Sequence, residues 1–123
     1  MIVVDASAVI ELLRRGPAAE RIAALLDDDV IAPELLIAET MRFFARKERD
    51  GADVEPARRA FTQMDVHYTP TWPHLERMWE LRETVSAYDA SYVVLAEAHE
   101  CPLVTADARL GRAPGVRAAI AVV

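Results

Sequence analysis

Short β-branched runs and amphipathic helical stretches take turns along this chain, and that alternation limits its fold more than any other feature. Ile2–Val4 is a brief apolar run that stops at Asp5. Ala6, Ile10 and Leu13 then follow a helical period until Gly16-Pro17. Ile22, Leu25 and Leu26 suggest a second helix, and Val30–Ala32 a strand closed by Pro33. Residues 35–49 form the clearest helix: Leu35, Ala38, Met41 and Ala45 share a face, and Gly51 ends it. Residues 56–64 and 72–85 read as helices around a strand at 66–68. Ser86 opens another helix, Leu103–Thr105 is a strand, and 116–123 holds one or two weaker strands. Parallel strands need long crossovers, and helices supply them. The pattern therefore predicts an α/β fold, a three-layer α/β/α sandwich around a central, mainly parallel sheet. A length of 123 residues suits one domain, 1–123, with a core that needs neither disulfide nor structural metal.

Apolar residues make up 53% of the chain, yet no run nears the ~20 residues of a membrane span. The first ten residues lack the basic flank and cleavage site of a secretion signal. Cys101 is the single cysteine, so an internal disulfide is impossible and a reducing cytoplasm is the expected location. The net charge of −6 has the wrong sign for a protein that mainly grips phosphates. Two arrangements reconcile it with nucleic-acid chemistry. Clustered carboxylates can be neutralised by a metal ion, and the basic residues can be gathered on one surface.

Three acids from distant parts of the chain fall at strand ends or helix starts: Asp5 after the first strand, Asp89 in the first turn after Ser86, and Asp107 just beyond Leu103–Thr105. In a parallel sheet these ends share one edge. Glu39 projects from a helix that begins near that edge. Carboxylates brought together raise one another's pKa, and a hard cation such as Mg²⁺ or Mn²⁺ relieves the conflict. Such an ion lowers the pKa of a water and polarises a phosphoryl oxygen, which suits phosphodiester hydrolysis. Each acid has a plainer reading too. Asp5 can cap the helix at Ala6, Asp89 can complete a capping box with Ser86, Asp107 can cap the turn at 108–110, and Glu39 can be solvated.

Four segments carry a family resemblance. Val3-Val4-Asp5-Ala6-Ser7-Ala8-Val9-Ile10 resembles the opening motif of PIN-domain proteins. Ala32 to Glu39 is similar to their second motif, Tyr88 to Ala96 to the third, and Pro102 to Leu110 to the fourth. They occur in order across nearly the whole chain. The likeness is to the VapC-type toxins of type II toxin–antitoxin systems. It implies a PIN-like sandwich and a Mg²⁺- or Mn²⁺-dependent endoribonuclease. Asp5, Glu39, Asp89 and Asp107 would form the acidic site, with Asp5, Asp89 and Asp107 as metal ligands. Ser7 and Thr105 would orient the carboxylates, against plainer readings as an N-cap and a strand-end hydrogen bond. The implied partners are an RNA substrate, a cognate antitoxin protein and a second copy in a homodimer, with no membrane. Residues 46–85 carry no family signature.

Arg42 and Arg46 stand i,i+4 on the helix that bears Glu39 and offer a phosphate grip. Arg14 is another candidate contact with RNA. A solvated helix surface is the alternative for both. Trp72, Trp79, Phe43 and Phe44 read as core or a dimer patch before base-stacking residues. No Walker loop, G-x-G-x-x-G or G-x-S-x-G is present. A phosphoryl-transfer domain is disfavoured: the lone lysine, Lys47, lies inside a helix, and Ser7 stands where a dehalogenase-like site wants an acid. The remaining alternative is a non-catalytic module that keeps the fold and works through protein contacts.

Overall fold

The computed structural model describes residues 1–123. Five strands, β1 (Ile2–Val4), β2 (Val30–Pro33), β3 (His67–Thr69), β4 (Leu103–Thr105) and β5 (Ile120–Val122), form one sheet in the order β3-β2-β1-β4-β5. Every pairing is parallel. Ile2, Val3 and Val4 are all buried although successive side chains point to opposite faces, so both faces of β1 are covered. The expected α/β sandwich is therefore the observed one.

Six α-helices make the outer layers: α1 (Ala6–Leu13), α2 (Ala19–Leu25), α3 (Leu35–Arg49), α4 (Glu55–Thr62), α5 (Leu75–Glu80) and α6 (Ala87–Ala98). Helix α6 packs on β1, β2 and β4 and is buried without interruption from Ala90 to Ala96. Helix α1 contacts α2 and α3.

Strand order decides where a site can form. From β1 the chain moves outward through β2 and β3, then crosses back to β4 and on to β5. The switch lies between β1 and β4, and the crevice beyond their carboxyl ends is where such sheets bind ligands. Asp5 follows β1 and Asp107 follows β4.

One expected element is different. Residues 72–85 are not a single helix: Trp72–His74 is a 3₁₀ turn, α5 covers six residues, and the chain reverses before Ser86. Leu81, only 2% exposed, is anchored in the core and ends α5 there. The helical period of Trp72, Leu75 and Trp79 marks a face that points outward, with the two tryptophans 79% and 65% exposed. Near the C-terminus only Ile120–Val122 pairs, at the sheet edge.

Candidate active site

Asp5 is buried at the carboxyl end of β1, beside the switch point. Extended backbone at this residue makes it the N-cap of α1, where Oδ1 accepts from the Ala8 amide at 2.9 Å. The capping role expected from sequence is thus real, and it does not exhaust the side chain. Ser7 Oγ donates to Oδ1 at 2.6 Å, and Thr105 Oγ1 donates to Oδ2 at 2.5 Å. The two hydroxyls are 3.1 Å apart, but each has given its only proton to Asp5. Their oxygens accept instead from the backbone, Ser7 from the Ala106 amide at 2.9 Å and Thr105 from the Asp107 amide at 3.0 Å. The turn after β1 and the turn after β4 are thereby stitched together across one carboxylate.

Asp5 is 5% exposed. Burial pushes its carboxyl above the ordinary range, the Ser7, Thr105 and Ala8 hydrogen bonds act against that rise, and the charge of Asp89 adds to it. Half-buried Asp89 is also raised, first by burial and then by Asp107, while the Ser86 hydroxyl and Arg109 pull it down. The charge of Asp89 thus reaches Asp5, and that of Asp107 reaches Asp89. Ser86 caps α6 by accepting from the Asp89 amide at 3.0 Å. The Ser86 amide makes no return bond to the Asp89 carboxylate, so the capping box is half made, and Asp89 lines an open hollow together with Asp107.

Asp107 is held differently. Its Oδ1 accepts from the Arg109 amide at 2.9 Å, and the Arg109 guanidinium grips both oxygens at 3.2 and 3.1 Å. Those contacts hold its carboxyl below the ordinary range. Asp89, Asp107, Arg109 and Arg112 line one shallow hollow of about 510 Å³.

Glu39 lies on the other side of Asp5. It is half-buried rather than solvated, and its Oε1 accepts from the Tyr92 hydroxyl at 2.6 Å. With Ala6, Ser7, Ile10, Arg42, Phe43, Arg46 and Lys47 it lines a groove of about 440 Å³. Arg42, Arg46 and Lys47 have no ion-pair partner. Arg14 is elsewhere: it lines an adjoining hollow with Arg15, Phe43 and Lys47, and its Nε is tied to Glu11 at 3.0 Å.

The structure thus brings Asp5, Ser7 and Thr105 into direct contact, sets Asp89 and Asp107 along one flank, and sets Glu39, Arg42 and Arg46 along the other. No three acidic, histidine or cysteine side chains converge tightly enough to form a ready ion cage. The donors are nonetheless all hard oxygens, and the carboxyls of Asp5 and Asp89 are both raised above the ordinary range by burial. That combination fits a divalent cation such as Mg²⁺ or Mn²⁺. Asp5 and Asp89 would be its first ligands, whereas Asp107 would first release Arg109. Sequence reasoning missed Arg109 and Tyr92. Tyr92 follows Asp89 by three residues, so a shared helix face was the available signal.

Comparisons with known proteins identify the family. The PIN domain family model matches residues 2–116. Ribonuclease VapC9 of Mycobacterium tuberculosis is 46% identical over 115 residues, covering 89% of this chain and 88% of the relative. Ribonuclease VapC1 of the same organism is 39% identical over 121 residues, covering 93% and 91%. The crystal structure of PAE2754 from Pyrobaculum aerophilum superposes with a TM-score of 0.72 at 24% identity, covering 98% of this chain and 90% of that one. The chain belongs to the PIN domain family, among relatives named VapC ribonucleases.

Proposed function

We propose that this protein is the endoribonuclease toxin of a VapBC-like pair, and that it hydrolyses RNA phosphodiester bonds with the help of Mg²⁺ or Mn²⁺. The observation that carries the proposal is the Asp5 carboxylate. It sits at the switch point of the sheet, fixed by three donors, with Asp89 on one side and an open groove bearing Glu39 on the other.

Asp5 and Asp89, joined by Asp107, would hold the cation. When bound, it would neutralise the clustered charge, lower the pKa of a water and polarise a phosphoryl oxygen. Ser7 and Thr105 fix both oxygens of Asp5, so little reorganisation of that ligand is left for the reaction. Glu39 presents a second carboxylate from across the crevice. Arg42 and Arg46, free of carboxylate partners, would take phosphates flanking the scissile one, and Arg14 would extend that path. A cognate antitoxin would block the groove by covering these acids. The outward face of Trp72, Leu75 and Trp79 supports a protein contact, with a homodimer as the simplest form.

The test is cleavage of a broad RNA panel by purified protein freed of any inhibitor. Cutting that requires Mg²⁺ or Mn²⁺ and stops with chelator is expected. Intact RNA throughout, with either ion, would leave a non-catalytic interaction module as the better description.

A further inference from the structure

The hydroxyl of Tyr92 has no place in the reaction just described, yet it is buried and makes a short hydrogen bond of 2.6 Å. Tyr92 is 1% exposed, in the middle of the fully buried stretch of α6. A tyrosine so placed needs a partner for its O–H, or the polar oxygen costs more than a phenylalanine would. The partner is Glu39 Oε1, 53 residues away in sequence and on another helix.

We propose that Tyr92 is a positioning residue for the acidic site, holding the Glu39 carboxylate in one orientation toward the groove beside Ser7. The inference rests on the nuclease reading above and assigns it a residue outside the four acids.

Three features support it. A glutamate on a helix has three side-chain torsions to settle, and fixing them costs conformational entropy. Here that cost is met on folding, because the phenol is locked by its surroundings and ties down Oε1. Oε2 accepts no hydrogen bond within the protein and is left for the groove. Secondly, the phenol stands between two acids. Burial, the Glu39 hydrogen bond and charge, and the charge of Asp5 together raise its pKa well above the ordinary value, so it remains a donor at any working pH. The Ala6 backbone amide, next to Asp5, acts on the same oxygen. Lastly, Tyr92 and Asp89 are three residues apart on one helix, so α6 sets the location of Asp89 and, through Tyr92, that of Glu39. Any shift of α6 moves both acids together.

Tyr92→Phe removes the hydroxyl and keeps the ring. Two readouts are needed: Mn²⁺ affinity by titration calorimetry, and kcat and KM on an RNA that the wild type cuts. Outer groups that orient a ligating or catalytic carboxylate are typically worth 10- to 100-fold. The expected result for Tyr92→Phe is a kcat lower by about 10-fold, KM within about twofold, and weaker Mn²⁺ binding. Glu39→Gln should lose at least as much, and the double variant should lose no more than Glu39→Gln alone, because the two side chains act as one unit. If Tyr92→Phe proves unstable, Glu39→Asp serves instead: one methylene shorter, it cannot reach the phenol and should match Glu39→Gln. Full kcat and Mn²⁺ affinity in Tyr92→Phe, beside an impaired Glu39→Gln, would overturn the proposal. So would a Glu39→Gln enzyme equal to the wild type. A wild type that neither cuts RNA nor binds Mn²⁺ would instead refute the underlying nuclease reading.

Discussion

Asp89 is an acid whose charged form the fold does not favour. Its carboxyl is raised by burial and by Asp107, so the charged form is disfavoured in the folded protein. For a raised acid the cost develops as pH climbs from the ordinary aspartate value through the folded one. Asp89→Asn removes that cost. In metal-free buffer at pH 7 the variant should melt at the same temperature as the wild type or higher, and the advantage should fade as pH falls into the ordinary aspartate range. Cleavage should drop by more than about 100-fold, beyond what groups one layer further from the ion contribute. A large loss of thermal stability would show instead that Asp89 mainly serves the start of α6. The hydroxyls on Asp5 work in the opposite sense. Thr105→Val removes a donor to a buried carboxylate and should cost about 1–3 kcal/mol in urea unfolding at pH 7. An unresolvable cost would mean that the Thr105 bond does not stabilise the ionised acid. The positions of Asp5, Ser7 and Thr105 were legible in the sequence because each sits at a strand end or helix start. The bonds from Thr105 to Asp5 and between Thr105 and Ser7 were not, since contacts across about 100 residues leave no local pattern. The Arg109 grip on Asp107 is local, but it is set by a turn too short to show a period.

At the scale of elements, α6 organises the molecule. Its N-terminal turn carries Asp89, its middle carries Tyr92, and its last turn carries Glu97, which fixes the segment leading into β5. Arg77 of α5 grips both Glu97 oxygens at 2.8 and 3.1 Å and also bonds the Gly115 carbonyl, while the Arg117 amide donates to Glu97 at 2.8 Å. Burial pushes the Glu97 carboxyl up, but Arg77 and the Arg117 amide outweigh it and bring it below the ordinary range. A lowered acid contributes stability above its unfolded pKa and loses it as pH falls through the folded value. Glu97→Gln should therefore cost about 1–2 kcal/mol at pH 7, with the gap to the wild type closing as the buffer is acidified below the ordinary glutamate range. A gap independent of pH would assign the loss to packing. Most elements were readable from apolar period: Ile2–Val4, Leu103–Thr105 and residues 35–49 lie where the pattern put them. Residues 72–85 were not, for a definite reason. Trp72, Leu75 and Trp79 supply a helical period, but periodicity marks a face without saying what covers it. The core anchor is Leu81, off that face, and the helix stops there.

For the whole molecule, net charge and function point different ways until the charges are placed. A chain of −6 is a poor phosphate binder on average. Asp5, Asp89 and Asp107 gather beside the β1/β4 switch, where a cation would offset their charge, and Arg42, Arg46 and Lys47 lie without ion-pair partners in the groove that holds Glu39. Sequence could suggest both arrangements, but only the strand order shows that they adjoin. The same strand order explains why an all-parallel sheet with five short strands can hold such a site: both turns that build it leave neighbouring strands on one edge. The most direct measurement is calorimetric titration of Mn²⁺ into the wild type, Asp5→Asn and Asp89→Asn at pH 7. The expected result is saturable binding to the wild type, weakened at least about 10-fold in each variant. Equal binding by all three, or none by the wild type, would contradict a cation held between Asp5 and Asp89.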